Sequence, residues 1–242
     1  MRVVVPGNDS PIYMGVFMTT VRLTGLLLIL VPLMFNVVFF LLQRTFDYPD
    51  ILRRPTEEVL TRFQAGGTRL VALWYSFVLA TLLFLPVAIL TPQVLAPDDL
   101  LFVVTATALG LLAGLVQILG LIRWPFVVPS LARAYSSPNA TQGTRDAVVV
   151  VFQAFHRYAG AAVGEHLGYL FTSLWTVLIA AAMTQCPLFP AWLGWIGFIP
   201  AVGIFLGLFE EAGLKPAGAI NAVSYILWSI WLVVAGFILL LA

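Results

Sequence analysis

The sequence predicts an all-α fold: a polytopic bundle of about six transmembrane helices with short interfacial helices. Apolar residues make up 61% of the 242 residues and charged residues only 10%, whereas soluble domains are about 45–50% apolar and about 25% charged. The chain also contains six uncharged stretches of bilayer length, at residues 23–42, 70–90, 100–122, 167–186, 191–209 and 217–242. Because these stretches are too long for core strands, we expect each of them to be a helix.

The connection between the first two stretches is predicted to contain an interfacial helix. Pro55 precedes Glu57 and Glu58, a pattern typical of a helix N-terminus, and Gly66-Gly67 is expected to end the helix. The segment between them is amphipathic, which predicts that it lies on the membrane surface.

The third and fourth stretches differ in how their helices continue. Pro125 and Pro129 are expected to break the third helix, because proline has no backbone N–H. The fourth stretch contains no proline from 146 onward, so its helix is predicted to extend back from 167 to about 146. No repeat or low-complexity linker divides the chain, and residues 1–242 are expected to form a single integral membrane domain.

Basic residues are distributed unequally between the two sides of the predicted membrane. With six spans, one side carries Arg2 and Arg22, and the other carries ten of the twelve basic residues. Cytoplasmic loops are enriched in Lys and Arg. We therefore predict that the more basic side is cytoplasmic and that both termini lie on the opposite side. An odd number of spans would invert this assignment at one end.

Small residues predict where the helices approach each other, because helices in lipid associate through close backbone contact. Gly160, Gly164 and Gly168 form a ridge at intervals of four residues, and Gly110 and Gly114 belong to a similar ridge on the third span. We expect these two ridges to pair, with packing as their simplest role.

Three polar residues are predicted to lie inside the membrane. Asn36, Gln117 and Asn221 fall within the first, third and sixth stretches. Each of them either hydrogen-bonds a neighbouring helix or lines a pore or ligand site, and the first interpretation is favoured.

A group of charged residues at the cytoplasmic boundary is the main candidate for function. If the third and fourth spans pack together, Arg123 and Glu165 reach the same depth, where a pair costs much less than either charge alone. The predicted polar pocket consists of Arg123, His156, Arg157, Glu165, His166 and Glu210. The alternative is a belt of interfacial salt bridges that only fixes the depth of the helices.

Signatures of metal sites and catalysis are weak. The single cysteine, Cys186, excludes an internal disulfide and a four-cysteine site. His156 and His166 are ten positions apart and cannot ligate one ion from a straight α-helix. Residues 210–215 and 152–156 come close to two motifs of membrane-embedded CAAX-type proteases, but their order is reversed and Lys replaces Arg. We predict no catalytic residue, no metal, no cofactor and no nucleic-acid partner.

Several short motifs carry a family resemblance. Residues 22–25 (RLTG), 164–171 (GEHLGYLF) and 190–197 (PAWLGWIG) occur in this order along the chain. Together they resemble a family of bacterial multi-pass membrane proteins defined by a domain of unknown function (DUF4386). The resemblance implies a bacterial inner-membrane protein of about six helices, and it implies no activity, cofactor or catalytic residue.

The leading hypothesis is an inner-membrane protein that binds or moves a small solute, or serves as an accessory subunit, through the polar pocket. One alternative is a metal-dependent intramembrane hydrolase or protease, in which Glu210 or Glu211 lies within reach of His156. A second is a purely structural subunit with a flat apolar face. The expected partners are the lipid bilayer, a protein partner or a second copy of the chain, and a small ligand.

Overall fold

The computed structural model describes residues 11–242, with side chains described from Met14 onward. Within these residues six helices are long and apolar enough to cross a membrane, and no strand occurs. These helices are Met14–Phe46, Thr56–Leu95, Leu100–Ser136, Gln142–Met183, Ala191–Phe209 and Ala217–Leu241. The predicted all-α fold of a multi-pass membrane protein is confirmed. Arg2, which entered the charge comparison, lies outside the described residues.

The first helix is longer than the uncharged stretch that predicted it. Helix α1 (Pro11–Phe46) contains Pro32 in its interior and continues past Arg44. The helix extends beyond the apolar stretch at both ends because polar residues outside the hydrocarbon core can still form backbone hydrogen bonds.

The second span contains two interruptions. Helix α2 (Thr56–Leu82) includes both the expected interfacial segment and the start of the span, and Gly67 bends it with φ of 53° and ψ of −150°. Glycine reaches this conformation because it has no Cβ. Helix α3 (Phe84–Leu95) follows after one residue. Pro86 explains this break, since it lacks the N–H that would bond to Leu82.

The third span is broken at the predicted prolines. Helix α4 (Leu100–Leu121) is followed by two short helices, α5 (Arg123–Phe126) and α6 (Val128–Ser136). Pro125 and Pro129 fall in the first turns of α5 and α6, where a missing N–H does not cost a hydrogen bond.

The fourth span changes its helix type along its length. Helix α7 (Gln142–Phe155) begins at Thr141, whose hydroxyl accepts a 3.1 Å hydrogen bond from the N–H of Thr144. A π-helix occupies His156–Leu167, and helix α8 (Gly168–Met183) completes the span. The predicted backward extension therefore exists, but it contains a π-helix that the sequence did not predict.

The last two spans are simpler. Helix α9 (Ala191–Leu206) follows Pro190 and ends in a short 3-10 turn at Gly207–Phe209. Helix α10 (Ala217–Leu241) then runs almost to the end of the chain.

Internal contacts divide the chain into two compact units. The first contains residues up to Leu33, Leu83–Gly114 and Gly168–Ala242, and the second contains Met34–Leu82 and Leu115–Leu167. Several helices contribute a different portion to each unit. The expectation of a single domain stays a prediction.

The core of the first unit contains tryptophans that tie helices together. The indole N–H of Trp231 donates to the carbonyl of Leu193 at 2.9 Å, and that of Trp228 donates to the hydroxyl of Thr176 at 2.8 Å. The fully buried Trp175 packs edge-on against Phe84, with 5.2 Å between ring centroids. These contacts connect α3, α8, α9 and α10.

The core of the second unit is an aromatic cluster. Trp74 and Trp124 are fully buried and stack with 4.4 Å between ring centroids and an interplanar angle of 7°. Phe46 packs edge-on against both indoles, and Phe63 stacks on Trp124. Large aromatic side chains bury much apolar area per residue, so this cluster contributes substantially to the core of the second unit.

Candidate binding site around Arg123

Arg123 is buried at the boundary of the third span. It is the first residue of α5, and only 6% of its surface is exposed. Its Nη1 donates to the carbonyl oxygen of Gly120, and its Cζ lies 5.3 Å from the centroid of the Trp124 ring. The guanidinium is therefore held by a hydrogen bond on one side and by a cation–π contact on another.

The space for the guanidinium is provided by Gly160. A Cβ added at Gly160 would lie 2.5 Å from Nη2 of Arg123 and 2.8 Å from its Cζ. Any larger residue at this position would therefore displace the arginine head group. The role of Gly160 is to let a side chain from the third span lie directly on the backbone of the fourth.

A second glycine contact brings the two backbones together. A Cβ added at Gly120 would lie 2.6 Å from the Cα of Gly164, and one added at Gly164 would lie 2.9 Å from the Cα of Gly120. This close approach depends on the absence of both side chains. It also positions the carbonyl of Gly120, which accepts from Arg123.

The predicted pairing of the two glycine ridges has a different register in the structure. Gly110 lies against Ala88 and Trp175, and Gly114 lies against Leu85. Gly110 and Gly114 therefore contact side chains of α3 and α8. At Gly110, the indole of Trp175 occupies the place where a second glycine ridge was expected. Gly120, which the sequence analysis did not single out, makes the glycine contact with the fourth span. Gly168 is buried at the start of α8.

The π-helix His156–Leu167 carries the two histidines and the one glutamate of the fourth span. It contains Gly160 and Gly164, together with four of the predicted pocket residues. π-helical turns are rare and frequently occur at functional sites. The expectation that His156 and His166 cannot ligate one ion assumed a straight α-helix. That assumption does not hold here, because a π turn contains about one more residue than an α turn.

Glu165 provides negative charge near Arg123. It interacts electrostatically with Arg123 and with Tyr48. The structure therefore brings together the two residues that were expected to reach one depth. A carboxylate beside a buried guanidinium offsets part of the desolvation cost of both charges.

Tyr48 adds a group that the sequence analysis missed. It lies in the turn after α1, and its ring packs edge-on against Trp74 with 5.0 Å between centroids. Burial raises the pKa of the Tyr48 phenol well above its usual range, the charge of Glu165 raises the pKa further, and Arg123 lowers it. The phenol therefore stays protonated and remains a hydrogen-bond donor at neutral pH.

An exposed ion-pair network surrounds the turn that contains Tyr48. Arg54 pairs with Asp47 and with Glu58, the latter at 2.7 Å, and Arg62 pairs with Glu58 at 2.8 Å. The hydrogen bond to Glu58 raises the pKa of Arg54. Because these groups are solvent-exposed, the network contributes mainly to the conformation of the turn and little to stability.

Two donors in the aromatic cluster lack acceptors. The indole Nε1 atoms of Trp74 and Trp124 are buried and have no hydrogen-bond partner among residues 11–242. Buried donors usually have partners, and an unbonded one lowers stability by about 1–3 kcal/mol. The second unit thus holds a buried cation and two unbonded donors within a small volume.

A cleft opens beside Arg123 between the third and fourth spans. Its volume is about 260 Å³, and it is lined by Leu119, Ile122, Arg123, Phe126, Val127, Phe155 and Ala159. Six of these seven residues are apolar, and the remaining one is Arg123. The cleft can therefore accept an apolar group, and Arg123 is the one lining residue that could attract an anionic end.

The other predicted pocket residues do not line this cleft. His156 is half-buried and stacks on Phe152 with 5.9 Å between centroids, whereas Arg157 and His166 are exposed. Glu210 belongs to the first unit, where its carboxylate lies beside Gly218 in the first turn of α10. That position favours a negative charge through the helix dipole.

The intramembrane polar residues are all at least partly buried. Asn221 donates from Nδ2 to the carbonyl of Ile204 at 3.3 Å, which links α10 to α9 in the way expected for helix packing. Asn36 and Gln117 are half-buried in the second unit. Among residues 11–242, no group of three or more His, Cys, Asp or Glu side chains is arranged to hold a metal ion.

Comparison with known proteins identifies a family. No curated protein and no solved structure matches the chain. A family model described as Domain of unknown function (DUF4386) matches residues 23–236, which include all six spans in whole or in large part. The resemblance of the short glycine-containing motifs is confirmed by this match. The chain therefore belongs to the DUF4386 family of multi-pass membrane proteins.

Proposed function

We propose that the protein binds a small solute in the cleft beside Arg123, as the first step of holding or moving it at the membrane. The observation that carries the proposal is the single charged residue in an otherwise apolar cleft. Arg123 remains charged at any physiological pH, and a guanidinium has five donors in a planar fork. Its hydrogen bond to Gly120 uses one of them.

Low polarity around the cleft favours binding of an anion. Hydrogen bonds to an ionised group are about twice as strong as those between neutral groups, and a low dielectric increases the electrostatic attraction. Glu165 balances the charge of Arg123 when the cleft is empty. A ligand with a carboxylate, sulfate or phosphate group would share the guanidinium with Glu165 through the donors that Gly120 does not use.

The proposal is tested with octanoate as a small amphiphilic anion. The melting temperature of the protein, purified in an uncharged detergent, is measured with increasing octanoate. At ten times the dissociation constant, ligand binding adds about 1.4 kcal/mol of stability, which corresponds to roughly 3–6 °C for a chain of this size. We expect this shift in the wild type and its loss in Ala159→Phe, where a phenyl ring fills the cleft.

The matched control is Ala162→Phe. Ala162 lies in the same π-helix but is exposed and does not line the cleft, so this variant should retain the wild-type shift. An equal shift in all three proteins would mean that octanoate acts through the micelle, and it would refute the proposed site. No shift for the wild type would refute binding of small anionic amphiphiles.

We also propose that the side with ten basic residues faces the cytoplasm of a bacterial inner membrane and that both termini lie outside. The charge asymmetry supports this orientation, and the family resemblance supports the bacterial inner membrane. The test replaces Cys186 by Ser and then introduces Asp98→Cys or Asn139→Cys, both at exposed positions. A membrane-impermeant maleimide should label Asp98→Cys in intact cells and Asn139→Cys only after the cells are broken. The reverse pattern would invert the orientation.

A further inference from the structure

Three buried polar atoms of the first unit have no hydrogen-bond partner among residues 11–242. They are the hydroxyl oxygens of Thr91 and Thr107 and the indole nitrogen of Trp175. Thr91 is 2% exposed and Trp175 is fully buried. Because bulk water does not reach the interior of a membrane bundle, an unbonded polar group there is costly. Three such atoms in one unit therefore need a physical explanation.

The two hydroxyl groups do not use the acceptors of their own helices. A threonine inside a helix can donate to the carbonyl four residues earlier. In the same unit, Thr24 donates in this way to the carbonyl oxygen of Thr20 at 2.7 Å, and Thr176 makes the corresponding bond at the same distance. Thr91 lies inside α3 and Thr107 inside α4, yet neither makes this bond. Their hydroxyl groups are therefore directed away from the main chain of their own helix.

The three atoms surround one contact between α3, α4 and α8. A Cβ added at Gly110 would lie 2.6 Å from the Cβ of Ala88 and 2.8 Å from the indole nitrogen of Trp175. On α4, Thr107 stands one helical turn before Gly110. On α3, Thr91 stands one turn after Ala88. Positions one turn apart have Cβ atoms about 5–6 Å apart, and α3 and α4 run antiparallel, so both threonines lie on the same side of this contact.

Pro92 adds a hydrogen-bond acceptor at the same level. It is buried inside α3, and it lacks the N–H that would bond to the carbonyl of Ala88. Helical carbonyls point toward the C-terminus of their helix, so the carbonyl of Ala88 points toward the level of Thr91. Hydroxyl groups donate and accept, an indole only donates and a carbonyl only accepts. The contact therefore combines donors with acceptors.

This combination of groups fits a small neutral molecule that both donates and accepts. None of the three unbonded atoms bonds directly to another, so a molecule that joins them must bridge the space between them. Threonine, tryptophan, glycine and alanine carry no side-chain charge, and therefore no group at the contact favours an ion. Buried water molecules typically make about three hydrogen bonds to polar groups that would otherwise be unsatisfied. Water is the smallest molecule with these properties.

We propose that one buried water molecule binds between α3, α4 and α8, hydrogen-bonded to the hydroxyl groups of Thr91 and Thr107 and to the indole N–H of Trp175. The water accepts from the indole, exchanges donor and acceptor roles with the hydroxyl groups and can donate to the carbonyl of Ala88. It joins three helices through polar contacts, which stabilise a membrane bundle where hydrophobicity does not. The site lies in the first unit and does not depend on the function proposed above.

The first experiment replaces each hydroxyl group by a methyl group of nearly the same shape. Thr91→Val and Thr107→Val each remove one hydrogen bond to the water, so the melting temperature of the purified protein should fall by about 2–4 °C in each. The double variant should lose less than the sum of the two, because both hydroxyl groups hold the same molecule. A hydroxyl group without any partner predicts the opposite sign, since valine would remove a buried unbonded group.

Thr24→Val is the matched control. Thr24 is fully buried in a helix of the same unit, but its hydroxyl group donates within its own helix. Its replacement should leave the melting temperature nearly unchanged. A rise of the melting temperature in Thr91→Val and Thr107→Val would overturn the inference, and so would strictly additive losses. A loss of equal size in Thr24→Val would assign the losses to packing and would also overturn it.

A second measurement observes the indole directly by nuclear magnetic resonance of protein with isotope-labelled tryptophan. The N–H signal of Trp175 is assigned by its loss in Trp175→Phe. We expect a cross-relaxation signal between this N–H and water in the wild type, and its loss in the double valine variant. Trp231 is the internal control, because its N–H donates to the carbonyl of Leu193 at 2.9 Å, and it should show no such signal. If Trp175 shows no water signal in the wild type, the inference is wrong even if the valine variants are less stable.

Discussion

The two units of the molecule bury polar groups in different ways. In the first unit, Asn221 and Trp231 donate to backbone carbonyls of α9 and thereby connect neighbouring helices. In the second, the indoles of Trp74 and Trp124 have no acceptor among the described residues, and Arg123 is buried. Trp175, Thr91 and Thr107 in the first unit also have buried side-chain donors without a partner among the described residues, so the buried charge is the difference between the units.

The difference indicates in which unit we expect a functional site. Polar groups that bond across helices stabilise a membrane bundle, and every charged residue described in the first unit is exposed. The second unit holds the buried cation and the π-helix, and such features are typical of functional sites. The second unit is therefore the place where substitutions should separate function from folding.

The largest effect is expected when the buried charge of Arg123 is removed. Arg123→Met removes the buried cation that interacts with the half-buried Glu165 and hydrogen-bonds Gly120, and losing a hydrogen bond made by a charged group costs about 1.5–3 kcal/mol. The double variant Arg123→Met with Glu165→Gln should recover much of this loss, because neither charge remains. The free energy of unfolding is measured by titrating sodium dodecyl sulfate into mixed micelles. A neutral single variant would show that Arg123 is not stabilised by pairing.

The second effect concerns the backbone contact between the third and fourth spans. Gly120→Ala places a methyl group 2.6 Å from the Cα of Gly164, and overpacking of this kind costs about 1–3 kcal/mol. Gly143→Ala is the control, since its Cβ would meet nothing closer than 3.9 Å. The control should be unchanged or more stable by up to about 1 kcal/mol. Equal stability of both variants would contradict the close approach.

The third effect is a pH dependence caused by Tyr48. Its folded-state pKa is raised above the unfolded value of about 10. The stabilisation is therefore fully present below about pH 10 and is lost as the pH rises above it, by about 1.4 kcal/mol per pH unit. In Tyr48→Phe, the free energy of unfolding should no longer show this decrease when it is measured from about pH 9 to about pH 11. Parallel slopes would show that the phenol is hydrated.

The smallest effect compares one indole from each unit. Trp231→Phe and Trp74→Phe remove the same atoms, but only Trp231 has a hydrogen bond to lose, to the carbonyl of Leu193. We expect Trp231→Phe to be the more destabilising by about 1 kcal/mol, measured in the same detergent titration. The opposite order would mean that the Trp74 N–H has an acceptor, such as a bound water or ligand.

The spans could be predicted from the sequence because a bilayer imposes a length on uncharged segments. The breaks at Pro125 and Pro129 were predictable for a local reason, since a proline cannot donate a backbone hydrogen bond. The ends of α1 were not predictable, because polar residues such as Arg44 can continue a helix outside the hydrocarbon.

The candidate site could be predicted only in part. The placement of Arg123 beside Glu165 followed from counting residues along two spans. Tyr48 and Trp74 were missed because their positions depend on tertiary packing across three helices, and neither has a distinctive sequence neighbourhood. Gly120 was missed because it stands six residues after Gly114, outside the four-residue spacing of the ridge. The expected inclusion of Glu210 assumed that charges on one membrane face gather together, whereas its carboxylate lies at the start of α10.

The π-helix has a consequence for insertions and deletions along the chain. In an α-helical span, deleting one residue rotates everything beyond it by about 100° and moves each lipid-facing side chain toward the interior. A π turn already contains one residue more than an α turn. A deletion within His156–Leu167 can therefore be absorbed by conversion of one turn to α-helix, with α8 keeping its orientation. Homologues that differ in length by a single residue within a span should carry that difference in this segment.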